Sequence, residues 1–135
     1  MTAEDVCGDV DGSGTDWKKM TCTASKQSLV CTLTACNPFV ILYSNLYLNG
    51  GNRLISILEG FILWYDEVGQ SQGEATAGTV LQKTQTELTF QIFVSSDQIE
   101  VGADVWLERI ALSDLNKVED PLPDAGSSAS FGACV

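Results

Sequence analysis

The chain has 135 residues, 18 carboxylates against 7 basic side chains for a net charge of -11, five cysteines and no histidine. That balance excludes nucleic acid as a partner, because phosphate binding needs clustered Lys and Arg and only Lys18 and Lys19 are adjacent. It disfavours an anionic membrane surface for the same reason. The missing histidine removes the commonest general base and the commonest metal ligand together, which argues against most enzyme chemistry.

In chain order, residues 1–27 are polar and turn-rich, with Gly8, Gly12 and Gly14 and neither a helical nor a strand period. The acidic start, Met1 to Val6, lacks the basic and apolar regions of a secretory signal. No apolar run approaches the ~18 residues of a membrane span. From Ser28 the pattern changes to a period of two, with Leu29, Cys31, Leu33 and Ala35 alternating with Val30, Thr32, Thr34 and Cys36, which predicts a strand. Phe39 to Tyr43 and Leu46 to Leu48 follow as apolar, strand-like runs. Asn49-Gly50-Gly51-Asn52 predicts a reversal, since these residues tolerate positive φ.

Leu54 to Leu58 and Phe61 to Tyr65 predict two more strands, and residues 70–79 a loop or an exposed edge. Leu88, Phe90, Ile92 and Val94 alternate most clearly of all. The last strand is Val105 to Leu112, with Trp106, Glu108, Ile110 and Leu112 on one face and Val105, Leu107, Arg109 and Ala111 on the other. After Leu115, Pro121 and Pro123 oppose regular pairing, and Gly126 to Ser130 reads as a linker before Phe131, Cys134 and Val135 restore apolar character. The chain is therefore expected to be all-β: a turn-rich N-terminal segment (1–27), an antiparallel β-sandwich (28–115) and an extended C-terminal arm (116–135).

The five cysteines, Cys7, Cys22, Cys31, Cys36 and Cys134, are disulfide candidates, and the odd number leaves one outside internal pairs. Their spacing lacks the CxxC of a zinc site. If Cys31 and Cys36 share one continuous strand they stand about 16 Å apart and can bond only if the chain folds back between them. Cys7 with Cys22 would pin the N-terminal segment, worth roughly 3 kcal/mol, and Cys134 would then bond Cys31, Cys36 or another chain. Oxygen donors alternate around glycines at Asp9, Asp11 and Asp16, which suits calcium, although an EF-hand would need a Glu where Met20 stands. An acidic, solvated turn explains the same residues. A cysteine nucleophile has no histidine to activate it, and no carboxylate pair stands out for glycoside hydrolysis. Trp64, Tyr65 and Trp106 lie in predicted strands, where such rings fill a core or, on an exposed face, stack on sugars. Trp64 and Tyr65 point to opposite faces, so both cannot be core if the other face is wet.

From Phe61 to Asp114 the chain resembles the second half of a jelly-roll, galactose-binding-like module. The likeness is carried by the strand and turn Ile62 to Gly69, the Gly-rich link, the strand Leu88 to Val94 and the final strand Gly102 to Leu112. It implies a β-sandwich of the kind used by carbohydrate-binding modules and by decoration or fibre proteins of phage particles.

The expectation is a non-enzymatic structural protein of an assembly, most concretely a virion decoration or cement protein. Its partners would be identical copies or a shell protein, with Phe131, Cys134 and Val135 as an arm reaching a neighbour, its own domain being the other anchor open to it. An extracellular carbohydrate-binding module is the alternative, so carbohydrate stays a candidate ligand, while nucleic acid and membrane do not. The location expected is a virion or the extracellular space, and no cofactor is expected apart from calcium.

Overall fold

The computed structural model describes residues 1–5, 7, 15–39, 44–58, 61–65, 75–110, 118–122 and 129–132. Its strands are β1 (Thr2–Glu4), β2 (Trp17–Ala24), β3 (Leu29–Ala35), β4 (Ser44–Leu48), β5 (Arg53–Leu58) and β6 (Phe61–Tyr65). They continue with β7 (Ala75–Ala77), β8 (Thr79–Lys83), β9 (Glu87–Ile92), β10 (Asp104–Ile110), β11 (Val118–Leu122) and β12 (Ala129–Ser130). Among the described residues the only helical pieces are short 3₁₀ turns, Asn49–Gly51 and Ser96–Gln98. One sheet runs β1-β2-β3-β9-β8. The other runs β11-β10-β4-β5-β6-β7, with β12 also paired to β10. Every pairing among the described residues is antiparallel. The protein is an all-β sandwich of two antiparallel sheets.

Alternation builds the core. In β3 every odd residue from Leu29 to Ala35 is buried and every even one half-buried, and β9 turns Leu88, Phe90 and Ile92 inward. From the opposite sheet come Leu46, Leu48, Ile55, Ile57, Ile62, Trp64, Val105 and Leu107. Full burial of such side chains contributes roughly 1.5–3 kcal/mol each, the main drive to form the two layers. Trp17 lies at the centre, fully buried, with its ring 5.7 Å from Phe39. Its indole N–H donates to the buried Ser44 hydroxyl at 2.6 Å, a polar tie from β2 to β4 across the sandwich.

The chain passes between sheets at Gly78, between β7 and β8. Its N–H donates to the Ile62 carbonyl at 2.7 Å. A Cβ there would stand 2.9 Å from both the Ile62 and Ile92 side chains and 3.0 Å from the Gln91 carbonyl oxygen, so only glycine fits unstrained. The predicted reversal after β4 appears as Asn49, Gly50 and Gly51, all at positive φ.

Three expectations are corrected. First, the segment 1–27 is not merely turn-rich: β1 and β2 form an edge of the five-stranded sheet. A register shift between Trp17 and Lys19 leaves two consecutive lysines exposed and breaks the visible alternation, yet Trp17, Met20, Cys22 and Ala24 all point inward. Second, the cysteines pair as Cys7–Cys36 and Cys22–Cys31, not as Cys7–Cys22. Cys22 and Cys31 are direct partners in the β2/β3 register, with Cα atoms 4.1 Å apart. The Cys22 N–H and carbonyl both bond to Met1 on the β1 side, so towards β3 the two cysteines form the closer, non-hydrogen-bonded kind of pair. Cys36, one residue past β3, is held where β2 begins by its N–H to the Asp16 carbonyl, and there it meets Cys7. These bonds use four of the five cysteines, and Cys134 lies outside the described residues.

Third, the extended C-terminal arm expected to reach a neighbour has its described parts, 118–122 and 129–132, on its own sandwich. β11 and β12 take successive parts of the same edge of β10. Pro121 is tolerated there because an edge strand can spare one N–H. Phe131 is 5% exposed, and its carbonyl accepts the Gly102 N–H at 2.9 Å, so this ring belongs to its own core rather than to a neighbour. Val135, like Cys134, lies outside the described residues.

Candidate functional site: the outer face of the seven-stranded sheet

The inward alternation of β4, β5, β6 and β10 leaves a second set of side chains on the opposite face. These are Asn45 and Tyr47, then Leu54, Ser56 and Leu58, then Phe61, Leu63 and Tyr65, and finally Asp104, Trp106 and Glu108. The register places Trp106, Tyr47, Leu54 and Tyr65 in one row across four strands. A second row holds Glu108, Asn45, Ser56 and Leu63. No lysine or arginine stands among these positions.

Trp106 is the most firmly placed of them. Its ring stacks on Tyr47 at 5.0 Å between centroids and 17° between planes, a directly opposed aromatic pair. Its indole N–H donates to Glu108 Oε1 at 3.0 Å. The far edge of the ring lies against Gly51, where a Cβ would come within 3.1 Å. That turn is fixed in its own right: the Asn49 side-chain amide donates to the Gln98 carbonyl and its oxygen accepts the Glu100 N–H, both at 2.7 Å. In the polar row the Ser56 hydroxyl donates to Asn45 Oδ1 at 3.3 Å. The result is an outer sheet face with held, half-buried rings beside polar side chains.

Of the three aromatics singled out in the sequence, two share this face. Tyr65 and Trp106 are half-buried on the outer side. Trp64 is 1% exposed, fills the core and has no surface left to stack on a ligand. Tyr47 was missed because it sits between Leu46 and Leu48 in an apolar run that reads as wholly buried. Its place in the β4 alternation is the signal that finds it.

The calcium candidates are not brought together by what is described. Asp16 is buried just ahead of β2, with its carbonyl engaged by Cys36, while Asp9 and Asp11 lie outside the described residues. Among the described residues no three His, Cys, Asp or Glu side chains group as metal ligands would. The four bonded cysteines hold no thiolate for a metal. A surface concavity of about 640 Å³ between Pro38, Phe39, Lys83, Thr84 and Gln85 presents a single charged group. No described helix is long and apolar enough to cross a membrane, and two disulfides are bonds of an oxidising environment.

No known family, curated protein or solved structure matches the chain.

Proposed function

We propose that the chain is a non-enzymatic structural protein of a larger assembly, seated on a protein partner through the outer face of the seven-stranded sheet. Its most concrete form is a decoration or cement protein of a virion shell, built on a jelly-roll-like sandwich. The observation that supports this most is the stacked Trp106–Tyr47 pair, held half-buried on the outer face of the sheet. Anchored aromatic side chains are the groups that dominate protein interfaces. Phe61, which is 67% exposed, extends the apolar area of the same face. The absence of histidine from the chain agrees with a role that does not turn over substrate.

The test is recovery of the tagged protein from its native source. It should sediment with particles far larger than itself. Trp106→Ala combined with Tyr47→Ala should release it to the monomer fraction, with near-ultraviolet circular dichroism confirming the fold. Wild-type protein recovered only as a free monomer overturns the reading.

A second reading, an extracellular carbohydrate-binding module, is favoured by the neighbouring rows of rings and of Asn45, Ser56 and Glu108. Rings that stack on sugar faces beside hydrogen-bonding side chains are the chemistry of such a site. Binding on a glycan array that is lost with Trp106→Ala and Tyr65→Ala selects this reading, and silence removes it.

A further inference from the structure

We propose that the seat on the seven-stranded sheet recognises a basic segment of the partner, with an arginine guanidinium lodged against Trp106 between Asp104 and Glu108. This deepens the reading of that face as the contact surface by naming what it contacts. Asp104, Trp106 and Glu108 are alternate residues of β10, so they share one side of the strand. The indole is thus flanked along the strand by a carboxylate on each side. Asp104 is exposed and Glu108 half-buried, and Glu108 is oriented by the indole N–H. Tyr47 stacks on one face of the ring.

A cation near an indole gains from the ring quadrupole, Trp being the best partner. Arginine adds planar stacking and a fork of donors that a carboxylate accepts. Charge complementarity points the same way. The chain carries a net charge of -11, and the described outward side chains of β4, β5, β6 and β10 include no basic group to compete for the two carboxylates. Lys18, Lys19 and Lys83 are exposed on the other sheet, on β2 and β8. Lys19 shares its row with Glu4 and Glu87, so the opposite face is of mixed charge. The described outward positions of the aromatic face carry carboxylates as their only charged groups and favour an approaching basic segment.

Fluorescence anisotropy of a labelled arginine–glycine repeat peptide, added to the full chain at low salt, tests this directly. Saturable binding is expected, falling as salt is raised. The lysine version should bind several-fold more weakly and the neutral citrulline version not measurably. Asp104→Asn with Glu108→Gln, which are near-isosteric and leave the fold intact, should weaken binding about tenfold, and Trp106→Leu by a similar factor. Glu4→Gln with Asp97→Asn removes the same charge from exposed positions elsewhere and should leave affinity within about twofold. Equal loss in that control pair, equal binding of the citrulline peptide, or indifference to Trp106→Leu overturns the proposal. If particle sedimentation depends on Trp106 while the arginine peptide ignores it, the assembly reading stands and this inference falls. If the chain is a free monomer yet binds the arginine peptide through these residues, this inference stands and the assembly reading falls.

Discussion

On the outer face of the five-stranded sheet Thr2, Thr21, Thr32 and Thr89 stand side by side across β1, β2, β3 and β9. The corresponding stripe on the seven-stranded sheet is Trp106, Tyr47, Leu54 and Tyr65. Both stripes belong to strands whose other faces are apolar and buried, so core formation does not require the difference. Threonine hydroxyls on the first sheet satisfy one another, Thr32 with Thr89 at 3.0 Å, and exposed lysines flank them. β-Branched, hydrogen-bonding side chains make a stable wet surface. Rings held half-buried beside carboxylates leave apolar area in water, a cost that a solvated face has no reason to bear. The contrast is one of degree, since Leu81 on β8 and Phe93 just past β9 are also exposed beside the five-stranded sheet. The ordered ring stack beside carboxylates is what favours the seven-stranded sheet as the proposed contact face.

The comparison presumes that the two layers are locked together, and the largest effect expected is from breaking that lock. Trp17→Ala removes the ring at the centre and leaves the Ser44 hydroxyl buried without its donor. A loss of about 3–5 kcal/mol is expected, measured by urea denaturation with near-ultraviolet circular dichroism as the probe. A loss under about 1 kcal/mol would mean that the layers do not depend on this tie. Next come the disulfides, both on the five-stranded side. The Cys7–Cys36 bond spans 29 residues and Cys22–Cys31 spans 9. The chain-entropy model gives about 3.5 kcal/mol for the first and about 2.5 kcal/mol for the second. Double serine variants of the longer bond and double alanine variants of the buried one should melt in that order. The reverse order would show that core packing of the Cys22 and Cys31 sulfurs outweighs loop closure.

Gly78→Ala acts where the chain leaves one sheet for the other. The added methyl meets the backbone carbonyl of Gln91 as well as two isoleucines, and a carbonyl in a ladder cannot yield cheaply. A destabilisation of about 1–3 kcal/mol is expected by the same denaturation assay. A neutral result would mean that the edge strands β7 and β8 move apart at little cost.

How much of this was visible in the sequence depends on what interrupts each strand. β3, β9 and β10 alternate without a break, so their two faces separate in the sequence, although which face of β10 turns inward does not follow, because the inward set carries the buried Arg109. The faces of β2 do not separate, because its bulge puts Lys18 and Lys19 next to each other and mimics a polar turn. β11 was masked by Pro121, whose missing N–H is harmless only at an edge, and edge position is a property of the sheet rather than of the segment. β12 is two residues long and carries no period at all. The cysteine partners required strand order: Cys22 faces Cys31 because β2 and β3 are a hairpin pair. At the site, opposite pointing of Trp64 and Tyr65 followed from parity alone. Which of them was wet required knowing which face the other sheet covers.

The smallest effects bear most directly on the two faces. Two double-mutant cycles, Tyr47→Ala with Trp106→Ala and Thr32→Ala with Thr89→Ala, measure the coupling within each stripe. The stacked rings should couple by about 0.5–1.5 kcal/mol and the threonine pair by about 0.2–1 kcal/mol. Coupling by itself does not separate a binding surface from a stable one, so the same variants should be read for association. The threonine variants should leave sedimentation with the assembly unchanged, whereas Trp106→Ala with Tyr47→Ala should release the chain while the fold is retained. A face built for contact loses function faster than it loses stability. If the threonine variants also release the chain, contact extends to the five-stranded sheet, and the division of labour between the layers is not the one their side chains suggest.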